Sequence, residues 1–340
     1  AKNSSNKIRV NRFERQEVKL SRSAIKKRNK KSDNKTDLKL KYSKKYVNFW
    51  IKYFTKKEKK RFVKHLSNAS KYKQLVQSIF AKHGLPRDLF YVGLIESGYN
   101  SKIKSRSSAV GPWQFIKGTA KIYGLKVDRY VDERMNIYKS TEAAAQYFKD
   151  LYNIFGSWDL ALCAYNKGEY GIIRAIRKGN TRDYQELIRK KLIPKETQYY
   201  IPKVVAARSL YINSAKHRLF YDRPSSHDYD NGTSVKLRQS FRVSTIASRL
   251  GISKRLILKL NPDLQRDYVK VSRSGIKVFL PKEKSSKYYL SKINNTKVPK
   301  QVITDNLRKH RVRRGETLSS ISKKYNITIN HLKKYNNLKN

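Results

Sequence analysis

From Tyr46 to about residue 215, large apolar side chains recur at three- and four-residue spacings and nowhere alternate long enough to predict a strand. That period restricts this stretch to packed helices. Phe49, Trp50, Tyr53 and Phe54, then Phe62, Val63 and Leu66, then Leu75, Val76, Ile79 and Phe80 mark the faces of amphipathic helices. Gly84 suits the end of one helix and Pro86 the first turn of the next. Thr119–Tyr123, Ser140–Phe155 and Ser157–Ala164 continue the pattern. In them Ser140-Thr141-Glu142 reads as a helix start, and Ala143, Ala144, Tyr147, Phe148 and Leu151 as one buried face. The expectation is a mainly α chain: an all-α domain over 84–220, with a helical prelude over 42–83 packing on it.

The flanks have a different texture. Residues 1–41 are rich in Lys, Arg, Ser and Asn with few large apolar residues, which predicts a basic disordered segment. After Asp222-Arg223-Pro224-Ser225-Ser226 short helical pieces alternate with polar turns, and an internal repeat emerges. Val243, Ile246, Ala247, Leu250, Gly251, Ile252, Ser253, Ile257, Leu260 and Asn261 align with Leu318, Ile321, Ser322, Tyr325, Asn326, Ile327, Thr328, Leu332, Tyr335 and Asn336, 75 positions on. Each copy predicts two short helices joined by a turn, with Ser253 or Thr328 as second N-cap. The copies occupy 235–282 and 309–340, and the lysine-rich stretch 283–308 reads as a linker.

The chain of 340 residues carries 79 Lys+Arg against 25 Asp+Glu, a net +54, which points to polyanionic surroundings: nucleic acid, anionic lipid or cell-wall polymer. Abundant Lys, Asn, Ile and Tyr on faces with no evident target fit a codon bias equally well. The charge is spread along the chain and no nucleic-acid motif accompanies it, so no specific nucleic-acid partner is expected. No run of 18 apolar residues occurs, so no membrane-spanning helix is expected, and any export signal or lipid anchor would precede Ala1. Cys163 is the single cysteine; it allows no intramolecular disulfide and no zinc pattern, and its neighbours Ala161, Leu162 and Ala164 predict a core position.

One carboxylate is out of place. Leu85–Ser97 is apolar on every side of a helix, yet Glu96 stands at its C-terminal end. Desolvation and the negative end of the helix dipole both disfavour its ionised form, so its pKa is expected to be raised, as a general acid requires. A structural ion pair with one of the many cations is the competing reading. Three further segments combine sugar-site chemistry with equally available roles as caps or core aromatics. They are Gly111-Pro112-Trp113-Gln114-Phe115, Ala164-Tyr165-Asn166-Lys167-Gly168-Glu169, and Glu196-Thr197-Gln198-Tyr199-Tyr200-Ile201-Pro202. Trp113 fits a sugar platform and a core residue equally, while Asp128, Asp132, Glu133 and Asp159 read as helix-start or surface carboxylates.

Taken in order, Ile95-Glu96-Ser97-Gly98-Tyr99-Asn100, Gly111–Phe115 with Thr119-Ala120 and Tyr123-Gly124-Leu125, Ala164–Gly168, and Glu196-Thr197 with Tyr200 and Pro202 resemble the soluble-lytic-transglycosylase (goose-lysozyme-like) family, of the membrane-bound murein transglycosylase D type. His310-Arg311-Val312-Arg313-Arg314-Gly315-Glu316-Thr317-Leu318 onward resembles a LysM module, and 235–282 a degenerate one without the Arg-Gly-Glu-Thr entry turn. Lys167 departs from the family's usual small residue and Ser108 from a frequent glycine.

The resemblance implies a lysozyme-like all-α catalytic domain followed by small βααβ LysM-type modules, the last of which reaches Asn340 before its second strand. It implies lyase cleavage of the β-1,4 bond between N-acetylmuramic acid and N-acetylglucosamine with 1,6-anhydro ends. Glu96 is the implied catalytic acid and then base, and Ser97, Gln114, Tyr165, Asn166, Tyr200 and Glu196 the implied substrate-binding residues. Ser97 would bond near the scissile sugar, and Glu196 and Tyr200 would support the cleft wall. It implies no cofactor and no metal, peptidoglycan strands as partner, a monomer, and a place in the bacterial cell envelope: the periplasm, with an outer-membrane anchor. A muramidase using water and a non-catalytic wall- or nucleic-acid-binding protein are the alternatives.

Overall fold

A computed structural model describes residues 38–222, 232–294, 310–325, 327–336 and 338. The expected disorder of residues 1–37 therefore lies outside the described residues, as does 295–309 of the expected linker. The chain divides into two units at Thr296 and Lys297.

In the first unit the prelude is α1 (Lys44–Lys52), one π-helical turn (Tyr53–Lys57) and the long α2 (Lys59–Lys82). A 3-10 turn (Arg87–Leu89) leads into α3 (Phe90–Ser97). There follow α4 (Lys117–Ile122), α5 (Ile137–Phe155), α6 (Trp158–Lys167), α7 (Glu169–Gly179), α8 (Tyr184–Arg189), α9 (Lys195–Gln198) and α10 (Tyr200–Ile212). The expected start of α5 is shifted: Asn136, not Ser140, caps it by accepting from the Lys139 N–H, and Ser140 and Thr141 are buried inside the helix. The hydroxyl of Ser140 turns back to the Asn136 carbonyl at 2.6 Å, while Thr141 accepts from the Trp113 indole N–H at 2.9 Å.

The centre of this domain is aromatic. Trp113 is 1% exposed and meets Phe80, Tyr99 and Phe148 edge to face at 5.4–5.9 Å between centroids. Its indole is thus spent on packing, and the sugar-platform reading of Trp113 is overturned. α10 packs on α1, α3 and α6, so the prelude is part of the domain rather than an appendage. Cys163 lies in the core as expected.

Residues 232–294 form a small module. β1 (Thr233–Leu237) pairs antiparallel with β4 (Ile276–Leu280), and β2 (Phe241–Arg242) with β3 (Tyr268–Val269). Between them lie α11 (Val243–Leu250) and α12 (Lys254–Leu260), the latter N-capped by Ser253 as the repeat predicts. Asn261 is fully buried and ties the end of α12 to β4: its amide donates to the Ile257 and Phe279 carbonyls at 2.8 and 2.6 Å and accepts from the Phe279 N–H at 2.8 Å. A helix α13 (Ser286–Asn294) takes up residues expected to be linker, because Tyr289 and Ile293 find a place in the module's core.

The module is docked on the α-domain through residues 126–139. Tyr130 and Val131 enter the module's own core, and Val131, 0% exposed, bridges to Leu264. Burying such a side chain is worth about 1.5–3 kcal/mol. Asp263, also wholly buried, accepts from Lys139 Nζ at 2.7 Å and from the Asn136 amide at 3.0 Å. The carboxylates read as helix-start or surface groups take those places and also make structural ties: Asp132 caps the 3-10 turn Glu133–Met135, Glu133 and Asp159 stand in the first turns of their helices, and Asp128 is exposed. Glu133 pairs with Lys139 at 2.9 Å, Asp132 with Arg134 at 2.8 Å, Asp128 accepts from the N–H groups of Tyr130 and Val131, and buried Asp159 accepts from the Lys41 N–H.

In the second unit, α14 (Leu318–Tyr325) and α15 (Ile329–Tyr335) follow a turn in which Glu316 accepts from the Arg313 N–H at 2.9 Å and pairs with His310 at 2.7 Å. Asn336 donates to the Leu332 carbonyl, the counterpart of Asn261 and Ile257 in the first copy. Among the described residues no helix is long and apolar enough to cross a membrane.

Candidate active site

Glu96 occupies the last turn of α3, whose other side chains are almost all buried. Gly98 follows with φ +58, and this left-handed turn stops the helix directly after the acid. A β-carbon at Gly98 would stand 2.2 Å from the His65 ring, so glycine is required there on two counts. Glu96 itself is half-buried. Burial raises its pKa above the ordinary carboxylate range, against the opposing effects of a hydrogen bond from Tyr200 and the charge of Lys203. The carboxyl therefore holds its proton to higher pH than an exposed glutamate.

Tyr200, 5% exposed at the start of α10, donates its phenol hydrogen to Glu96 Oε1 at 2.5 Å. Its own pKa is pushed well up by burial and by the neighbouring Glu96, so it remains a donor. Tyr165, near the end of α6, is half-buried and affected in the same way by burial and by Glu96. It donates to the Trp113 carbonyl at 2.5 Å and stacks on Phe148 at 4.7 Å, which fixes its ring beside the acid. Asn166, next on α6, is half-buried, and Gln114 is half-buried with its amide donating to the Gly111 carbonyl at 2.9 Å. Gln114 has φ +50, a costly conformation for a side chain of its size. The turn holds because Gly111, at φ +81, lies so close to Arg134 that a β-carbon would come within 2.0 Å of its carbonyl oxygen.

Two of the expected residues have other employment. Ser97 is 1% exposed and donates to the Pro112 carbonyl at 2.7 Å, so it pins the Gly111–Phe115 turn to α3 and does not face a ligand. Helix geometry explains the correction, since successive residues point about 100° apart and Ser97 turns inward where Glu96 turns out. Glu196 is exposed on α9 and has no hydrogen bond to Glu96, Tyr165 or Tyr200; its charge acts on Lys203. Ser108 has φ +62, a conformation glycine adopts at less cost, in keeping with the departure noted at that position.

Lys203 and His65 escaped the sequence reading. Lys203 sits one helical turn beyond Tyr200, so an i, i+3 inspection of α10 would have placed it on the same face. His65 lies inside α2, far away in sequence, and nothing local marks it. Among the described residues no cluster of His, Cys, Asp and Glu suits a metal ion.

Residues 77–188 match the family model described as Transglycosylase SLT domain, and residues 310–340 that described as LysM domain. Over 278 residues the chain is 27% identical to Membrane-bound lytic murein transglycosylase D of Escherichia coli K12, covering 80% of this chain and 61% of that protein. It thus spans about three fifths of the relative's length. Over 103 residues it is 37% identical to the Peptidoglycan transglycosylase gp16 of Escherichia phage T7, covering 29% of this chain and 8% of that one. Among solved structures, the 70 kDa soluble lytic transglycosylase of Escherichia coli aligns with a TM-score of 0.34 and 22% identity, over 42% of this chain and 25% of that one.

Proposed function

We propose, from the premise that residues 77–188 belong to the transglycosylase SLT family and residues 310–340 to the LysM family, that this protein is a lytic transglycosylase of peptidoglycan. The observation that carries the reading is a single carboxyl, Glu96, whose pKa burial raises at a half-buried helix end and which the Tyr200 hydroxyl holds in place. Glu96 gives its proton to the oxygen joining N-acetylmuramic acid C1 to N-acetylglucosamine C4, and that bond breaks. The resulting carboxylate takes the proton of the muramyl C6 hydroxyl as its oxygen bonds to C1, closing a 1,6-anhydro ring and restoring the acid. No water is consumed. Because the nucleophile belongs to the same sugar, proximity replaces the second carboxylate that a hydrolase uses to activate water.

Tyr200 stabilises the carboxylate that forms in the first step, and Tyr165, Asn166 and Gln114 line the cleft around the acetamido groups. The paired asparagines Asn261 and Asn336, each tied to the carbonyl four residues back, support reading 235–282 as a second, divergent LysM-type module. The high positive charge suits a polymer bearing peptide carboxylates, in a cell-envelope setting. The test is the product mass on purified peptidoglycan. Anhydro-muropeptides released by the parent and not by folded Glu96→Gln are expected. Products heavier by one water would make it a muramidase, and no product would leave a binding protein.

A further inference from the structure

Beside the acid, on the prelude side, lies a cavity of about 100 Å³ that the reaction above does not use. Its lining includes Trp50, Tyr53, Glu58, Arg61, His65 and Lys203, with Phe54, Phe62, Leu94 and Ile95 as its apolar side; Glu96 follows Ile95 in α3 and feels the charge of Lys203. Its charges do not cancel. Arg61 is paired with Glu58 at 3.0 Å, whereas Lys203 makes no ion pair among the described residues and rests its ammonium over the Trp50 ring, 5.1 Å from the centroid. Burial lowers the pKa of half-buried Lys203 against the opposing charges of Glu96 and Glu196, neither of which is in ion-pair contact with it among the described residues. Burial lowers that of His65 as well, to about 4, with Arg61 and Lys203 adding to the effect, so at neutral pH the ring is uncharged and presents one N–H.

We infer that this cavity is a carboxylate-binding subsite of the enzyme, in which Lys203 and His65 receive an acidic substituent of the glycan strand while Glu96 engages the adjoining glycosidic bond. The inference rests on the transglycosylase reading. A carboxylate supplies the charge that Lys203 lacks and accepts from His65, and a charged hydrogen bond in a partly dry pocket discriminates strongly against a neutral isostere. Trp50 orients the ammonium from behind: its indole N–H donates to the Tyr199 carbonyl at 3.0 Å, which fixes the ring against α10. The prelude is then part of substrate selection as well as of the fold. Two sources offer the same chemistry, the lactyl carboxylate of a peptide-free muramic acid and a carboxylate of the stem peptide.

Binding is measured with the full chain carrying Glu96→Gln, which cannot turn over. Three probes are used: peptide-bearing strands, strands stripped by an amidase so that the lactyl carboxylate is free, and peptide-bearing strands whose carboxylates have been converted to amides. Adding Lys203→Met is expected to weaken binding of carboxylate-bearing strands roughly tenfold, about 1.4 kcal/mol, and to leave the amidated strands unchanged. Lys203→Arg should recover most of the loss, which a merely structural lysine would not explain. Dependence on Lys203 with stripped strands assigns the lactyl group, and dependence confined to peptide-bearing strands assigns the stem. Equal weakening for acidic and amidated strands, or none for either, overturns the subsite. Failure of the parent chain to release anhydro products overturns the transglycosylase reading instead, and is read in a separate assay.

Discussion

Replacing Tyr200 by Phe removes one oxygen atom from the site and leaves the packing of α10 in place, since the ring is 5% exposed and only the hydroxyl reaches Glu96, at 2.5 Å. While Glu96 carries its proton this bond is between neutral groups and is worth about 1 kcal/mol; once Glu96 is a carboxylate it is worth about 1.5–3 kcal/mol. The acid passes from the first state toward the second as the glycosidic oxygen is protonated, so the difference falls on the transition state. A difference of about 0.5–2 kcal/mol should lower kcat by roughly 2- to 30-fold, each factor of ten being about 1.4 kcal/mol. The same difference raises the Glu96 pKa further, because the ionised form loses more than the neutral one. Activity needs the protonated acid, so the alkaline limb of the pH–rate profile must move to higher pH. Release of anhydro-muropeptides, quantified by mass spectrometry across pH, gives both readings. Loss of a buried hydrogen bond should also lower Tm by a few degrees, and a cooperative melt verifies folding. A rate within twofold of the parent, or an alkaline limb displaced downward, would refute the role assigned to Tyr200.

Two other expectations concern stability. The folded-state pKa of Glu96 is raised above its ordinary value of 4.5, so its contribution to stability is complete below that pH and is lost as pH rises through the folded pKa. Glu96→Gln should therefore melt with the parent in acid and above it at neutral pH. Melting curves from pH 4 to 8 test this, and a variant less stable at neutral pH would contradict it. Asp263→Ala takes away one of the two carboxylates on Lys139, leaving Glu133 at 2.9 Å, and removes the acceptor of the Asn136 amide at the docking face. Losing these buried hydrogen bonds costs about 1–3 kcal/mol, so residues 233–294 should open more often and be cut faster by a protease than in the parent. Unchanged cleavage and melting would mean that the apolar insertion of Tyr130 and Val131 holds the module by itself.

Much of the protein follows from local sequence. The three- and four-residue apolar period dictates the helices of the α-domain, because an amphipathic face has to be buried whatever it meets. A repeat 75 residues apart announces two similar helix pairs, and the matched roles of Asn261 and Asn336 agree with it. Glu96 stands out because an acid at the end of an apolar helix conflicts with its surroundings, while the roles of Tyr200, Tyr165, Asn166 and Gln114 come only with the family resemblance. Tertiary structure alone decided the rest. Whether Ser97 and Trp113 served a ligand or the core depended on which way each pointed, and both turned inward to the Pro112 carbonyl and the Thr141 hydroxyl. Glu196 shares the segment of Tyr200 but lies exposed on the preceding short helix. His65 reaches the site from α2, and Val131 and Asp263 bind two folded regions across more than a hundred residues. Such contacts leave no periodic trace in the chain, because their free energy comes from desolvation and pairing between surfaces that meet only after the helices have formed.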